Sequence, residues 1–380
     1  LEGNLNMKKL IATSIISWFL LSGCGQESAN KDIQPDKSLS TNEAFIKILN
    51  TYKVPAIGGL IMRSGDIQEQ FSLGKRATES SVDVESSDLW HLGSITKSFT
   101  ATLTAKLVEL GYLDWNTTIG DVFYADEYPV SLSDITIEQL LSHSAGIASN
   151  ILEVNNWEGY FTPSEDIIPQ RLSLAKELLK ISSKNNPGKF SYSNGSFVIA
   201  GAMLERVMSD NWENLLTHYI LLPLDIQDAQ FGAPDLGYDF SQPYGHLKQG
   251  NGWKSVSPNE RYSDNPLAMG PAGTLSMSIE SLAKYANEHI LGHKGESDLL
   301  SADSFQKLHS EVSNLGYGAG WYINNQQISH SGSNTMWYAH LGIDLSKELV
   351  VIAVTNVGGD SGIGVTDNIT NVLLDRNGNY

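Results

Sequence analysis

The first part of the sequence changes from a helical to a strand-like spacing of apolar residues. Residues 41–51 carry apolar side chains three and four positions apart, which predicts a helix. The apolar run 56–62 predicts a buried strand, and the turn residues 64–66 lead into a second strand that continues through Phe71. The folded part of the chain is therefore expected to begin with a helix and a β-hairpin.

The middle and the end of the chain also differ in the spacing of their apolar residues. Strand-like patterns fade from residue 113 to about residue 266, and helical spacing predominates between loops rich in Gly, Pro and Asn. Beyond residue 270 strand-like runs return. The predicted helices of the middle are 137–141, 169–181, 196–208 and 213–222; the later helices are 279–290 and 361–374, and the later strands are 320–324, 327–331 and 349–356.

This distribution predicts an α+β fold for residues 41–376. The two ends supply strands and the middle supplies helices, which indicates an antiparallel sheet flanked by helices, with an inserted helical lobe. We place the α/β lobe at about 41–115 and 270–376, and the helical lobe at about 116–269. A cleft between two such lobes is a natural place for a substrate site.

The segment before residue 41 has the features of an export signal. Residues 7–9 (Met-Lys-Lys) form a basic start, and the apolar run 10–21 is too short for an ordinary membrane span. Its end, Leu21-Ser22-Gly23-Cys24, resembles the lipobox of bacterial lipoproteins. We therefore predict a leader at 1–23. The alternative is an ordinary secretory peptide with an incidental cysteine.

Cys24 is the only cysteine in the 380 residues, so the chain cannot form an internal disulfide. We predict that Cys24 carries the lipid and that the polar segment 24–40 is a flexible tether. The expected location is the bacterial cell envelope, with the protein anchored to the membrane by its lipid and facing the periplasm or the exterior.

The charge of the chain excludes one class of partner. The formal net charge is −18, so most surfaces should repel phosphate groups. Nucleic acid is therefore not an expected partner, nor is adhesion of the protein surface to anionic lipid.

The first candidate for chemistry is the S-x-x-K formed by Ser94 and Lys97, at the start of a predicted amphipathic helix that extends to Leu110. Residues three apart share a helix face, so the lysine amine can reach the serine hydroxyl. A serine becomes a good nucleophile when a nearby base takes its proton, and a lysine can act as that base only if its pKa is lowered. By itself the motif occurs by chance in many chains of this size, where the serine is only a helix N-cap.

Two further motifs lie where the predicted cleft would be. Tyr192 and Asn194 form a Y-x-N before a predicted helix, where a tyrosine could move protons and an asparagine could donate to a substrate carbonyl. The run 330–333 (His-Ser-Gly-Ser) ends a predicted strand, where a glycine permits close backbone approach and an N–H can hold an oxyanion. Each motif alone also fits a structural role, Tyr192 as a half-buried aromatic and His330 as an edge histidine.

Together and in this order, the motifs resemble the serine β-lactamase and penicillin-binding-protein superfamily. Within it they resemble the branch of class C β-lactamases, D-Ala-D-Ala carboxypeptidases and family VIII-type esterases. The resemblance spans about residues 44–374, with a β-lactamase/transpeptidase-like fold. The stretches that carry it are 91–100, 140–147, 187–194, 270–275, 317–321 and 330–333.

The resemblance implies a role for each motif residue. Ser94 would be the acylated nucleophile, Lys97 its proton acceptor and Tyr192 the partner base, with Lys97 and Tyr192 in one proton network. Asn194 would contact the substrate amide. The backbone N–H groups of Ser94 and Ser333 would form the oxyanion hole, and Gly332 would allow the close approach this requires.

The third motif departs from the class C pattern. Those β-lactamases carry Lys-Thr-Gly where this chain has His330, Ser331 and Gly332. A lysine holds a permanent charge for a substrate carboxylate, whereas a histidine facing the substrate should titrate near its reference pKa of about 6.5. Efficient β-lactamase activity is therefore not expected. Trp337, soon after, is expected to narrow or cap the cleft.

The sequence thus predicts a serine hydrolase that forms an acyl-enzyme on Ser94. The expected substrates are D-Ala-type peptides of cell-wall origin, β-lactams or other small amides. Two alternatives remain, a carboxylesterase of the same fold and a non-hydrolytic penicillin-binding sensor or wall-contact protein. No cofactor is expected, and no metal, because the pair His289 and His293 lacks a third ligand.

Overall fold

The computed structural model describes residues 38–162, 166–182, 187–312 and 316–377. The predicted leader, Cys24 and most of the predicted tether lie outside these described residues. Within them, no helix combines the length and the apolar character that crossing a bilayer requires.

The bounds of the secondary-structure elements are as follows. The strands are β1 (Ala56–Arg63), β2 (Asp66–Gly74), β3 (Leu89–His91), β4 (Gln230–Phe231), β5 (Gly245–Gln249), β6 (Gly252–Val256), β7 (Leu275–Ser278), β8 (Tyr322–Asn324), β9 (Gln327–Ser333), β10 (Tyr338–Asp344) and β11 (Leu349–Thr355). The α-helices are α1 (Thr41–Tyr52), α2 (Thr96–Glu109), α3 (Ile119–Val122), α4 (Ile137–Leu141), α5 (Ile167–Ser182), α6 (Asn194–Met208), α7 (Trp212–Leu216), α8 (Gly270–Gly273), α9 (Ile279–Lys294), α10 (Ala302–Leu308) and α11 (Gly359–Asn377).

A six-stranded antiparallel sheet organises the fold, with strand order β2-β1-β11-β10-β9-β8. Strands β1 and β11 are almost entirely buried and show no alternation of polar residues. The reason is that helices cover both faces: α1 and α11 pack on one side through Phe45 and Ile369, and α9 packs on the other through Ile279. The predicted α+β class, with an antiparallel sheet flanked by helices, is confirmed.

Helix α2 differs from the amphipathic helix that its sequence predicts. Its residues from Thr96 to Ala105 are all buried, so it has no solvent face over that length. Thr102 and Thr104 satisfy their buried hydroxyls by donating to the carbonyl oxygens of Ser98 and Thr100, 3.0 and 2.9 Å away. Such bonds allow a Thr-rich helix to lie in a core without unpaired polar groups.

Strand β10 and the small hairpin β5–β6 are absent from the predicted elements. In β10, the buried Ala339, Leu341 and Ile343 alternate with half-buried residues that include His340 and Gly342. In the hairpin, the five residues of β5 include one aliphatic side chain, Leu247. Strand β10 pairs with β9 and β11 in the large sheet, whereas β5 and β6 pair with each other in a two-stranded sheet of their own.

Candidate active site

Ser94 lies in a single 3-10 turn, Gly93–Ile95, that leads into α2. The backbone of this turn presses directly on the end of β9. A methyl group on Gly332 would lie 2.4 Å from the Ser94 nitrogen, and one on Gly93, whose φ is +50°, would lie 2.3 Å from the Ser333 nitrogen. Only glycine permits this approach. It brings the predicted nucleophile and the predicted oxyanion-hole strand together.

Lys97 is completely buried directly behind Ser94. Its Nζ lies 2.9 Å from Ser94 Oγ, 2.8 Å from Asn194 Oδ1 and 2.6 Å from the carbonyl oxygen of Ala272. Burial holds the pKa of Lys97 well below its ordinary value. This lowering favours the neutral amine, the state that a proton acceptor requires.

In the neutral form of Lys97, its three contacts determine where its hydrogens lie. A neutral amine has two N–H groups and one lone pair, whereas Asn194 Oδ1 and the Ala272 carbonyl can only accept. When the two N–H groups donate to these oxygens, the lone pair is left for the Ser94 hydroxyl. The carbonyl of Ala272, in α8, was not identified from the sequence, because a backbone carbonyl leaves no residue-type signal.

Tyr192 completes the group around Ser94. It hydrogen-bonds to the Ser94 side chain, and burial raises its pKa far above the ordinary value of 10. Its ring centroid lies 5.0 Å from Lys97 Nζ. In this arrangement Tyr192 holds its proton, and Ser94 lies between Lys97 and Tyr192.

His143 holds the segment that carries Tyr192 in place. Its carbonyl oxygen accepts the N–H of Ser191 at 2.8 Å, and its Nδ1 accepts the N–H of Ser193 at 3.1 Å. The imidazole centroid is 4.2 Å from the Tyr192 ring. Burial holds the pKa of His143 well below its ordinary value, so the ring is neutral. No spacing links residues 143 and 192, which meet only in the fold.

His330 does not have the titratable charge expected of it. It faces into the protein and is 1% exposed. Its Nε2 lies 3.0 Å from the hydroxyl of Tyr317, and burial lowers its pKa to about 3. The expectation of a histidine that titrates near 6.5 is therefore wrong: although His330 borders the cavity, it is neutral at physiological pH.

A cavity of about 550 Å³ lies in front of Ser94. Tyr192, Asn194 and the end of β9 from His330 to Ser333 line one part of it. Further aromatic residues in its wall are Trp157, Trp253, Tyr322 and Tyr338, and its charged lining residues are Lys248 and Asp360.

Trp337 does not cap this cavity, contrary to expectation. It is fully buried, with its ring against Gly245 and 5.5 Å from the ring of His91. The pair His289 and His293 also fails to converge, because His289 is buried against His309 and His293 is exposed. Among the described residues, no group of three or more His, Cys, Asp or Glu could hold a metal ion.

Comparison with known proteins identifies the family of this chain. The chain matches the Beta-lactamase family over residues 41–374. It is 23% identical over 356 residues to the putative penicillin-binding protein PbpX of Bacillus subtilis (strain 168), covering 92% of this chain and 83% of that protein.

Two solved structures share the fold. The octameric penicillin-binding protein homologue from Pyrococcus abyssi superposes with a TM-score of 0.72 at 24% identity, covering 89% of this chain and 77% of that one. The D-amino acid amidase from Ochrobactrum anthropi SV3 superposes with a TM-score of 0.69 at 17% identity, covering 88% and 99%. Since the family match extends over most of the sequence, the chain belongs to the β-lactamase family of serine hydrolases.

Proposed function

We propose that this protein hydrolyses small amides and esters through an acyl-enzyme on Ser94. The observation that carries the proposal is the buried Lys97 amine, held 2.9 Å from Ser94 Oγ by two oxygens that can only accept hydrogen bonds. A serine hydroxyl beside a neutral amine is an activated nucleophile.

In the first half of the proposed reaction, Lys97 Nζ takes the Ser94 proton as Oγ attacks the substrate carbonyl carbon. The carbonyl oxygen becomes negative and is held by the N–H groups of Ser94 and Ser333. When the bond to the leaving group breaks, the protonated Tyr192 donates to the leaving nitrogen or oxygen. Lys97 then returns a proton to Tyr192.

In the second half, a water molecule attacks the acyl carbon. The water loses its proton to Lys97, and Lys97 returns that proton to Ser94 Oγ as the bond between Oγ and the acyl carbon breaks. The acid product then leaves. The amide of Asn194 is fixed by its bond to Lys97, so its Nδ2 is the end that can donate to a substrate carbonyl.

The charges in the cavity favour neutral substrates over those that end in a carboxylate. His330, in the position of the class C lysine, is neutral above a pKa of about 3. The aromatic wall of the cavity suits an apolar acyl or leaving group. A carboxylesterase or amidase therefore fits the described residues better than a β-lactamase.

A D-Ala-D-Ala carboxypeptidase is the second candidate. The exposed Lys248, with its Nζ 4.4 Å from the centroid of the Trp253 ring, borders the same cavity. Its positive charge is within reach of a peptide carboxylate in the cavity. The hydroxyl groups of Ser331 and Thr335 could bind the same carboxylate.

Turnover of three substrates tests these assignments: p-nitrophenyl butyrate, a D-Ala-D-Ala peptide and a chromogenic cephalosporin, each with wild type and Ser94→Ala. We expect the highest kcat/KM for the ester and loss of activity in the variant. Because His330 is neutral, the three substrates should share one pH dependence between about pH 5.5 and 8.5.

Two results would contradict the proposal. A carboxypeptidase would instead prefer the peptide and lose that preference in Lys248→Ala. Covalent labelling of Ser94 by a penicillin without turnover of any substrate would identify the non-hydrolytic sensor.

A further inference from the structure

The carboxylate of Asp264 connects the two backbone segments that form the predicted oxyanion hole. Its Oδ2 lies 2.9 Å from His91 Nε2, and its Oδ1 accepts a hydrogen bond from Asn334 Nδ2 at 2.8 Å. On the other side of the imidazole, the N–H of Gly93 donates to His91 Nδ1 at 3.1 Å. One carboxylate thus reaches both the residue before Ser94 and the residue after Ser333.

The direction of each bond in this chain is determined. His91 Nδ1 accepts from Gly93, so the neutral ring carries its proton on Nε2, which donates to Asp264. Asn334 Nδ2 also donates to the carboxylate, while its Oδ1 accepts the N–H groups of Met336 and Trp337 at 3.1 and 3.3 Å. No group can reverse its role without losing a partner.

Burial fixes the geometry of these hydrogen bonds. His91 is completely buried, and the side chain of Asp264 is 8% exposed. Leaving a buried polar group without its hydrogen-bond partner destabilises the fold, so each group is held where its partner lies. The segments that are held, at Gly93 and Gly332, are themselves in direct backbone contact.

We propose that Asp264, acting through His91 and Asn334, is a positioning residue that sets the spacing of the Ser94 and Ser333 amides. The inference rests on the proposed function, because an oxyanion hole has a role only if Ser94 attacks a carbonyl. Neither Asp264 nor His91 touches the reacting atoms. Their effect is expected on the transition state and not on substrate binding.

Two variants break the chain at different points. Asp264→Asn replaces one of the two acceptor oxygens by an N–H₂ group. The side chain can then no longer accept hydrogen bonds from both His91 and Asn334. His91→Gln keeps a donor for Asp264 but places no acceptor at the Gly93 N–H. We expect each to lower kcat for p-nitrophenyl butyrate by roughly ten- to a hundredfold, with KM within about twofold, since losing one oxyanion donor outright lowers kcat by 10²–10³.

The double variant separates a coupled unit from two independent effects. Because both residues act through one chain, Asp264→Asn/His91→Gln should lose no more kcat than either single variant. The control Asp303→Asn, on the exposed start of α10, removes the same charge and should keep wild-type kcat. Wild-type kcat in Asp264→Asn, an equal rise in KM, or full additivity would overturn the proposal.

NMR of the His91 imidazole in the wild-type protein tests this hydrogen-bond arrangement. The measurement requires neither enzyme activity nor a correctly folded variant. ¹⁵N shifts should show His91 with its proton on Nε2, and a proton on Nδ1 would overturn the proposal. Failure of the wild type to react at Ser94 or to turn over any ester or amide would instead refute the proposed function, whatever the tautomer of His91.

Discussion

The Nζ of Lys97 lies 2.6 Å from the carbonyl oxygen of Ala272, across the junction of α2 and α8. This contact and the bond to Asn194 Oδ1 occupy both N–H groups of a neutral amine. The orientation of the Lys97 lone pair therefore depends on a backbone carbonyl 175 residues away in sequence.

The first prediction concerns Lys97 as the base. Lys97→Arg should lower kcat/KM for the ester by roughly 10²–10⁴-fold, because a guanidinium stays protonated and cannot accept the Ser94 proton. In the wild type, kcat/KM should rise with pH as Lys97 loses its proton, and should do so below the ordinary lysine range because the Lys97 pKa is lowered. Lys284→Arg, on the exposed face of α9, is the control. Near-normal activity of Lys97→Arg would show that another group accepts the proton.

A second prediction separates the two contacts that His143 makes with the Tyr192 segment. His143 has a φ of +57°, a conformation that asparagine tolerates well and leucine does not. His143→Asn can keep an acceptor for the Ser193 N–H while losing the ring against Tyr192. We expect little change in Tm but a kcat lowered by about tenfold. His143→Leu leaves that N–H unpaired and should lose about 1–3 kcal/mol of stability.

Thermal unfolding and ester kinetics of both variants check this assignment. Equal kcat in His143→Asn and wild type would show that the ring does not position Tyr192. Equal Tm values for the two variants would show that the Ser193 bond contributes little.

The pair formed by the buried His289 and the half-buried His309 predicts a pH dependence of stability. Their Nδ1 and Nε2 atoms are 2.8 Å apart, and burial lowers the pKa of His309 to about 3 and that of His289 well below 6.5. Between these values and about pH 6.5 the unfolded chain binds protons that the folded chain does not. The contribution of this pair to the free energy of unfolding should be fully present above about pH 6.5. As the pH falls below that value, the free energy of unfolding should decrease by about 1.4 kcal/mol per pH unit for each histidine.

His309→Gln tests this linkage, because glutamine replaces the bonded Nε2 without titrating. Between about pH 6 and 4, the slope of the unfolding free energy against pH should be smaller than in wild type by the equivalent of one bound proton. The matched control is His218→Gln at an exposed position, which should keep the wild-type slope. Urea unfolding at several pH values measures both. An unchanged slope in His309→Gln would mean that His309 is protonated in the folded protein.

A fourth prediction concerns the proposed lipid anchor on Cys24. Expressed in a bacterium from Met7, the protein should partition into the detergent phase, and Cys24→Ala should be recovered in the aqueous phase. Mass spectrometry should find the mature terminus at a lipid-modified Cys24. A soluble wild type with a different mature terminus would identify an ordinary secretory peptide.

The sequence by itself determined the elements whose information is local. The apolar runs of β1 and β11 and the helical spacing of α1 and α9 depend on neighbouring residues, and the structure contains each of them. The spacing of Ser94 and Lys97 likewise placed their side chains within reach of each other, because residues three apart share a helix face. The order of the motifs was sufficient for the fold class and the family.

Only the tertiary structure decided the electrostatic state of the site. The burial that lowers the pKa values of Lys97 and His330 depends on elements distant in sequence, and so does the contact of His143 with Tyr192. A residue type specifies which protons a side chain can carry, whereas its pKa depends on the solvent and charges around it. For this reason the sequence identified His330 as a candidate, but only the packing of β9 against Tyr317 showed that it carries no charge.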